Sequence, residues 1–217
     1  QNHIRLSLVG SEMCIRDRLH KGDLPDMMDL GSIVAIDCET MGLNFYRDRL
    51  CLVQLSGGDG IAHMVKIAAG QDSAPNLCKL LTNAKILKVF HFGRFDIAAL
   101  LKTFGILTSP VYCTKIASKL IRTYTDRHGL KNLLQELLHT DISKQQQSSD
   151  WGSETLTDAQ LEYAASDVLY LHSLKNELDL RLNREGRLDL AKSCFDFLPT
   201  RAMLDLAGWP ETDIFAH

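Results

Sequence analysis

Four acidic residues in three separated parts of the chain are of the type that binds divalent metal ions. They are Asp37 and Glu39 in IDCET, Asp96 in HFGRFD and Asp167 in YAASD. Each interrupts a segment with the pattern of buried structure, where an unpaired carboxylate is expensive and normally changes its pKa, finds a partner or binds a metal. Carboxylates without interleaved Cys or His pairs favour Mg²⁺ or Mn²⁺ over zinc. Two such ions about 4 Å apart can activate a water and stabilise both oxygens of an in-line phosphoryl displacement. The pattern therefore predicts metal-dependent phosphodiester cleavage.

Three predicted elements would position these carboxylates. SIVAIDCET is an apolar, β-branched run between Gly31 and Gly42, which predicts a strand with Asp37 and Glu39 on one face. Asp96 lies near the start of a predicted helix, FDIAALLKTFG, which follows the strand-like run KILKVF after a His-Phe-Gly turn. Asp167 and Tyr163 are four residues apart on a later helix, so carboxylate and hydroxyl share a face. Thr157, followed by Gln160, gives that helix a capping box.

Each of these residues also has a plainer interpretation when taken alone. Asp37 and Glu39 fit a solvated strand end, and Asp96 fits a first-turn acid that favours the helix dipole. Asp167 fits a partner for a nearby Lys or Arg, and Tyr163 fits a residue that packs on a helix face. The metal-site interpretation is preferred because all of them occur in order, on elements able to bring them together.

The whole chain predicts an α/β fold with a mixed central sheet flanked by helices. The early strands, joined by turns such as GGDG, favour an antiparallel meander, and the later strand-helix alternation favours parallel strands beside it. Strands are predicted near 32–38, 49–56, 60–66, 85–90 and 110–112. Helices are predicted near 75–82, 95–104, 114–121, 129–139, 157–183 and 186–195, with a short helix in the tail before a turn at 208–210.

The acidic motifs and their surroundings strongly resemble the DEDD superfamily of 3′-5′ exonucleases, in the tyrosine-bearing branch typified by ribonuclease D. The resemblance covers nearly everything from Leu19 onward, and its motifs are DRLCLVQLS, HFGRFD, CTKIASKL, HGLKNLL, the DW pair and LTDAQLEYAASDVLYL. It implies the ribonuclease H-like exonuclease fold. Phe92 departs from the Asn of many relatives, and Cys38 departs from the commoner Thr, but neither change removes a ligand.

The resemblance also implies roles for residues. Asp37, Glu39, Asp96 and Asp167 would bind two Mg²⁺ or Mn²⁺ ions, Glu39 would additionally touch the terminal ribose, and Tyr163 would orient the attacking water. Candidate substrate-binding residues are Met41, Leu43, Phe92, Arg94 and Lys115. Of these, Phe92 would affect how the terminal base or sugar is held, and the two basic residues would contact phosphate.

The implied activity is hydrolysis of single-stranded RNA from its 3′ end to nucleoside 5′-monophosphates, with transfer RNA precursors as one substrate. Two alternatives stay open. The first is a 3′-5′ exonuclease acting on DNA, because no residue unambiguously reads the 2′-hydroxyl. The second is a non-catalytic RNA-binding module of the same fold, against which the retained acids and Tyr163 argue.

Composition places the chain among ordinary globular proteins and limits its partners. Its 217 residues suit one domain, and no apolar stretch approaches the length of a membrane span. The formal charge of -3 argues against bulk electrostatic gripping of long duplexes, although a local basic rim would serve a few terminal nucleotides. Candidates for this rim are Arg47, Arg49, Lys115, Arg122, Arg127 and Lys131. The stretch IRTYTDRHGLKNL, with interleaved basic and aromatic residues, fits either a contact with a single strand or a solvated helix-turn-helix.

The ends of the chain and its cysteines lead to further expectations. Residues 1–18 lack continuity with the rest and are expected to be a non-native or poorly ordered leader rather than a signal peptide, so residues 19–217 form the expected single domain. The tail is too short for the helical domains of larger ribonuclease D proteins, which predicts a compact catalytic form. Six cysteines without a C-x-x-C pair suit a reducing, cytoplasmic location. The oligomeric state is left open.

Overall fold

The computed structural model describes residues 18–143 and 145–217. The expected leader of residues 1–18 lies outside these residues, except for Arg18. Apart from a short first strand and the limits of the last helices, the described helices and strands follow the predicted order. No described helix has both the length and the apolarity needed to cross a membrane.

The described strands form one six-stranded mixed sheet in the order β1-β4-β3-β2-β5-β6. The strands are β1 Leu19–Lys21, β2 Ile33–Thr40, β3 Leu50–Ser56, β4 His63–Lys66, β5 Leu87–Phe90 and β6 Val111–Cys113. The meander of β2, β3 and β4 is antiparallel, and β5 and β6 continue the sheet in parallel beside β2. The predicted mixed sheet is therefore confirmed. Strand β1, which pairs in parallel with β4, was not predicted, because three residues are too few to show a period.

Helices cover the sheet. They are α1 Pro75–Thr82, α2 Gly93–Phe104, α3 Thr114–Ile121, α4 Leu130–Leu138, α5 Asp158–Leu169, α6 Leu171–Arg184 and α7 Leu188–Leu206. Helix α5 packs against β2 and β3, whereas α2 packs against β2 and α7. The buried apolar side chains from Leu24 to Ala202 form one continuous cluster between these layers. Burial of this cluster is what holds α2 and α5 against the carboxyl end of β2.

Two helix predictions were wrong in their bounds. The single helix expected over 157–183 is interrupted at Tyr170. The interruption lets α5 pack on the sheet while the buried leucines of α6 pack against α3 and α4. The helix expected to end at 195 instead runs to Leu206, through Pro199, because its apolar face packs against α2 and β6. Packing thus outweighs the backbone hydrogen bond that a proline removes.

Candidate active site

Strand β2 carries Asp37 and Glu39 near its own carboxyl end. Both are half-buried and lie on the same face, as strand alternation requires. The register between β2 and β3 shifts between Glu39 and Thr40, so regular pairing is interrupted at Glu39. An irregularity of this kind re-aims side chains at the end of a strand. The buried strand thus delivers two carboxylates to one edge.

Asp96 reaches the same edge from the first turn of α2. Gly93 begins this helix directly against β5, where a Cβ atom would come within 2.7 Å of Phe90 Cβ. The preceding residue, Phe92, has a φ of 66°, a left-handed conformation that is costly for a non-glycine residue and is often found at functional sites. Asp96 is only 3 % exposed, and its carboxylate accepts hydrogen bonds from its own backbone N–H and from that of Cys38. Helix α2 therefore lies tightly against β2.

Helix α5 supplies Tyr163 and Asp167 from above the sheet. The helix begins with the predicted capping box, in which Thr157 and Gln160 exchange hydrogen bonds. The Tyr163 hydroxyl donates a hydrogen bond to the Asp167 carboxylate one turn later. Its ring lies 6.0 Å from that of Trp151, which is buried. Tyr163 and Asp167 are therefore held on the face of α5 that is turned toward β2.

These elements bring the acids together. Asp37, Glu39 and Asp167 each offer one carboxylate oxygen, and the three oxygens all lie within 4.8 Å of one another. Asp96 is outside this group of three but raises the pKa of both Asp37 and Glu39 through its charge. The donors are all carboxylate oxygens, the ligand type that Mg²⁺ and Mn²⁺ prefer. The side chains therefore fit hard divalent cations.

Burial and repulsion from neighbouring carboxylates raise the pKa of Asp37, Glu39 and Asp96. Burial raises the pKa of Glu39 to about 9, with further contributions from the charges of Asp167 and Asp96. Burial also raises the pKa of Asp96 to about 8 and that of Asp37 well above its usual range. Such a cluster is stabilised by cations, because they offset the repulsion between the ionised carboxylates.

The pKa of the Tyr163 phenol is also raised, first by burial and then by the neighbouring carboxylates. The phenol therefore keeps its proton throughout the neutral range. It can hold a water by hydrogen bonds but cannot act as a general base there.

A cleft of about 620 Å³ opens over the acidic cluster. Met41, Leu43, Phe92 and Lys115, four of the five candidate substrate-binding residues, line it beside the carboxylates. The Lys115 ammonium lies 4.0 Å from the centre of the Phe92 ring, so a positive charge and an aromatic face meet at the wall. Base stacking and phosphate attraction are the contacts that such a wall can offer a single strand.

The structure does not bring Arg94 to the cleft. Its guanidinium instead forms a bidentate pair with buried Asp205, at 2.5 and 2.7 Å, and also donates to the Pro210 carbonyl. Arg122, a candidate for the basic rim, is buried and pairs with Glu136. Lys131 does line the cleft and pairs with Asp141 at 3.1 Å. The local sequence could not separate these cases, because it does not show which side chains form pairs once the chain has folded.

One contributor was not singled out from the sequence. Trp151 packs near the Tyr163 ring, and the adjoining backbone is held by two basic side chains, one just before β3 and one in β4. Arg49 donates to the Gly152 carbonyl at 3.3 Å, and Lys66 donates to that of Ser153. The signal available was the DW pair before the last motif, to which no role could be given without the fold.

Comparison with known proteins matches residues 23–183 to a family described as 3′-5′ exonuclease. A ribonuclease D from Gluconacetobacter diazotrophicus is 39 % identical over 160 residues, which cover 74 % of this chain and 40 % of that protein. The chain spans about 40 % of the length of the first curated relatives it matches.

Solved structures agree with this match. Brucella melitensis NrnC bound to pGG is 62 % identical, with a TM-score of 0.90 and coverage of 92 % of this chain and 98 % of that one. The same protein with bound Mg²⁺ is 61 % identical over the same shares, with a TM-score of 0.89. Escherichia coli RNase D is 25 % identical with a TM-score of 0.72, covering 83 % of this chain and 48 % of that one. The expected ribonuclease H-like exonuclease fold is confirmed, and the chain belongs to the 3′-5′ exonuclease family, in its ribonuclease D-like DEDD branch.

Proposed function

We propose that this protein is a metal-dependent 3′-5′ exoribonuclease that hydrolyses single-stranded RNA 3′ ends to nucleoside 5′-monophosphates. The observation that carries the proposal is the convergence of Asp37, Glu39 and Asp167 within 4.8 Å, with Tyr163 beside them. Half-buried carboxylates this close together repel one another and destabilise the fold unless a proton or a cation offsets their charge. Asp96, which is coupled electrostatically to Asp37, completes the proposed ligand set.

The four carboxylates would hold two Mg²⁺ or Mn²⁺ ions, which supply a nucleophilic water and stabilise the charge that develops on the leaving oxygen. Tyr163 would orient the attacking water, because its phenol keeps its proton and is anchored to Asp167. Glu39 would contact the terminal ribose as well as a cation. Lys115 and Phe92 would hold the phosphate and the base of the last nucleotides against the cleft wall.

RNA is preferred as the substrate because several relatives are ribonuclease D proteins and because NrnC, which is 62 % identical to this chain, has been solved with pGG bound. The cleft of about 620 Å³ has the size of a site for a few nucleotides, not of a groove for a duplex. Short 5′-phosphorylated RNA such as pGG is therefore included among the proposed substrates, and a transfer RNA precursor with a 3′ extension is another. DNA is the competing substrate, since the DNA polymerase I of Aquifex aeolicus is 35 % identical over 179 residues.

The test is digestion of 5′-labelled single-stranded RNA and of DNA with the same sequence, in Mg²⁺, Mn²⁺ or EDTA. A transfer RNA precursor and pGG are digested in parallel, and the released mononucleotides are identified by chromatography. The variants are Asp167→Asn and, as a matched control on the same helix, Glu162→Gln, whose side chain is exposed. A ladder that shortens from the 3′ end is expected with wild type and Glu162→Gln.

Asp167→Asn is expected to lose about 10³-fold in rate, because several kcal/mol of transition-state stabilisation depend on the ions. Faster cleavage of DNA than of RNA would assign the protein to the DNA-degrading members. Binding of RNA without cleavage by any form would replace the proposal with the non-catalytic module.

A further inference from the structure

Gln54, in the middle of β3, is a buried polar residue whose side chain has no hydrogen-bond partner. It is 0 % exposed. Neither its Oε1 nor its Nε2 atom has a partner among the described residues. Buried amides in native proteins are almost always hydrogen-bonded, so an exception of this kind requires an explanation.

The sheet register places Gln54 directly opposite Asp37. The two residues are cross-strand partners in the antiparallel pairing of β2 with β3. Directly opposed residues project from the same face of a sheet, with their Cβ atoms about 5 Å apart. The unpaired amide therefore lies beside a proposed metal ligand, on the face covered by α5.

The other neighbours of Gln54 in the sheet are poor partners. On its far side, β4 presents Met64, whose thioether is a weak acceptor. Two residues away in either direction on β3 are Leu52, which is apolar, and Ser56, whose hydroxyl accepts a hydrogen bond from the Gly58 N–H. Among the described neighbours in the sheet, Asp37 thus offers the strongest acceptor to the Gln54 amide.

We propose that Gln54 is a positioning residue for Asp37. Its Nε2–H donates a hydrogen bond to one oxygen of the Asp37 carboxylate when the other oxygen ligates a cation. A carboxylate has two oxygens and about four lone pairs, so it can serve both partners at once. The inference rests on the proposed function, since it requires that Asp37 bind a metal.

The effect follows from how outer hydrogen bonds act on metal ligands. A donor behind a ligating carboxylate fixes its rotation, so less conformational freedom is lost when the ion binds. Removal of such a donor typically costs 10- to 100-fold in metal affinity or activity. The hydrogen bond would satisfy the Gln54 amide and would fix the orientation of the Asp37 carboxylate.

The test uses Gln54→Met, which keeps the length of the side chain and removes both polar atoms. The matched control is Thr108→Val. Thr108 is also 0 % exposed with an unpartnered hydroxyl, but it does not line the cleft. Thermal unfolding is followed in EDTA and across a Mg²⁺ titration, and RNA cleavage is measured across the same titration.

Gln54→Met is expected to melt no lower than wild type in EDTA, because it removes an unsatisfied amide. It is expected to need at least about tenfold more Mg²⁺ than wild type for half of the Mg²⁺-induced rise in melting temperature, and likewise for half-maximal activity. Thr108→Val is expected to keep the Mg²⁺ dependence of wild type. If Gln54→Met does not fold, Gln54→Ala is titrated with Mg²⁺ by calorimetry below its melting temperature, with the same tenfold expectation.

Wild-type Mg²⁺ midpoints in the Gln54 variant would overturn the inference and leave the amide paired with an internal water alone. A wild-type protein that neither melts higher in Mg²⁺ nor cleaves RNA would instead overturn the proposed function, and the inference with it.

Discussion

The most direct consequence of the clustered acids concerns the stability of the metal-free protein and its dependence on pH. The pKa of Glu39 is raised from 4.5 to about 9 in the folded chain, mainly by burial. Between these two values the folded state carries a proton that the unfolded state has released. Rising pH therefore favours unfolding, and the contribution that is present below about pH 4.5 is lost as the pH rises toward 9.

The magnitude follows from one proton. A difference of one bound proton changes the free energy of unfolding by about 1.4 kcal/mol per pH unit. From pH 6 to pH 8, Glu39 alone should therefore lower the free energy of unfolding of the metal-free wild type by about 3 kcal/mol. Glu39→Gln keeps the shape of the side chain but has no group that can ionise. Between pH 6 and pH 8, the free energy of unfolding of the variant should therefore rise by about 3 kcal/mol relative to that of wild type.

The assay is urea unfolding in EDTA at pH 6, 7 and 8, followed by circular dichroism. Exposed Glu162 on α5 provides a control, since Glu162→Gln should run parallel to wild type at every pH. Saturating Mg²⁺ should cancel the advantage of Glu39→Gln, because cations stabilise the ionised carboxylate. If the free energies of unfolding of Glu39→Gln and wild type change in parallel from pH 6 to pH 8, the pKa of Glu39 is not raised and the electrostatic reasoning about the cluster is wrong.

Three further predictions concern single side chains. Tyr163→Phe should lower kcat about 10²-fold with little change in KM, because the ring stays but the attacking water is no longer oriented. An unchanged kcat in steady-state assays would contradict this role. Arg94→Ala should lower the free energy of urea unfolding by about 1–3 kcal/mol, because the ion pair with Asp205 is lost. The KM for RNA should not change. A raised KM at unchanged stability would instead indicate that Arg94 contacts phosphate. Between pH 8 and 10.5, the free energy of urea unfolding of wild type should rise relative to that of Lys88→Met. Burial lowers the pKa of Lys88 from 10.5 to about 8, so only the unfolded state of wild type binds the extra proton in this range. A constant difference between wild type and Lys88→Met would exclude this titration.

The sequence was most informative where the relevant order is local. Strand alternation was enough to place Asp37 and Glu39 on one face, and the structure has them there. The four-residue spacing of Tyr163 and Asp167 was enough to predict that they meet on a helix, and their hydrogen bond is present. The capping box at Thr157 was likewise predicted and observed.

Sequence was least informative about elements whose limits depend on packing. The apolar period runs without a break through Tyr170, yet α5 and α6 separate there because they pack against different partners. Pro199 is a local signal against a helix, and it was overridden because α7 buries its apolar face. The free energy gained by burying these apolar side chains exceeds the cost that local helix propensity assigns to the proline.

The sequence by itself determined which acids share a face, which helix carries the tyrosine, and the family to which the motifs belong. Only the tertiary structure decided that Arg94 pairs with Asp205, 111 residues away, instead of facing the cleft. It also decided that Gln54 lies opposite Asp37, because register depends on the pairing of two separate strands. The physical reason is that backbone geometry repeats over a few residues and can be read locally, whereas ion pairs and strand partners are selected by the packing of the whole chain.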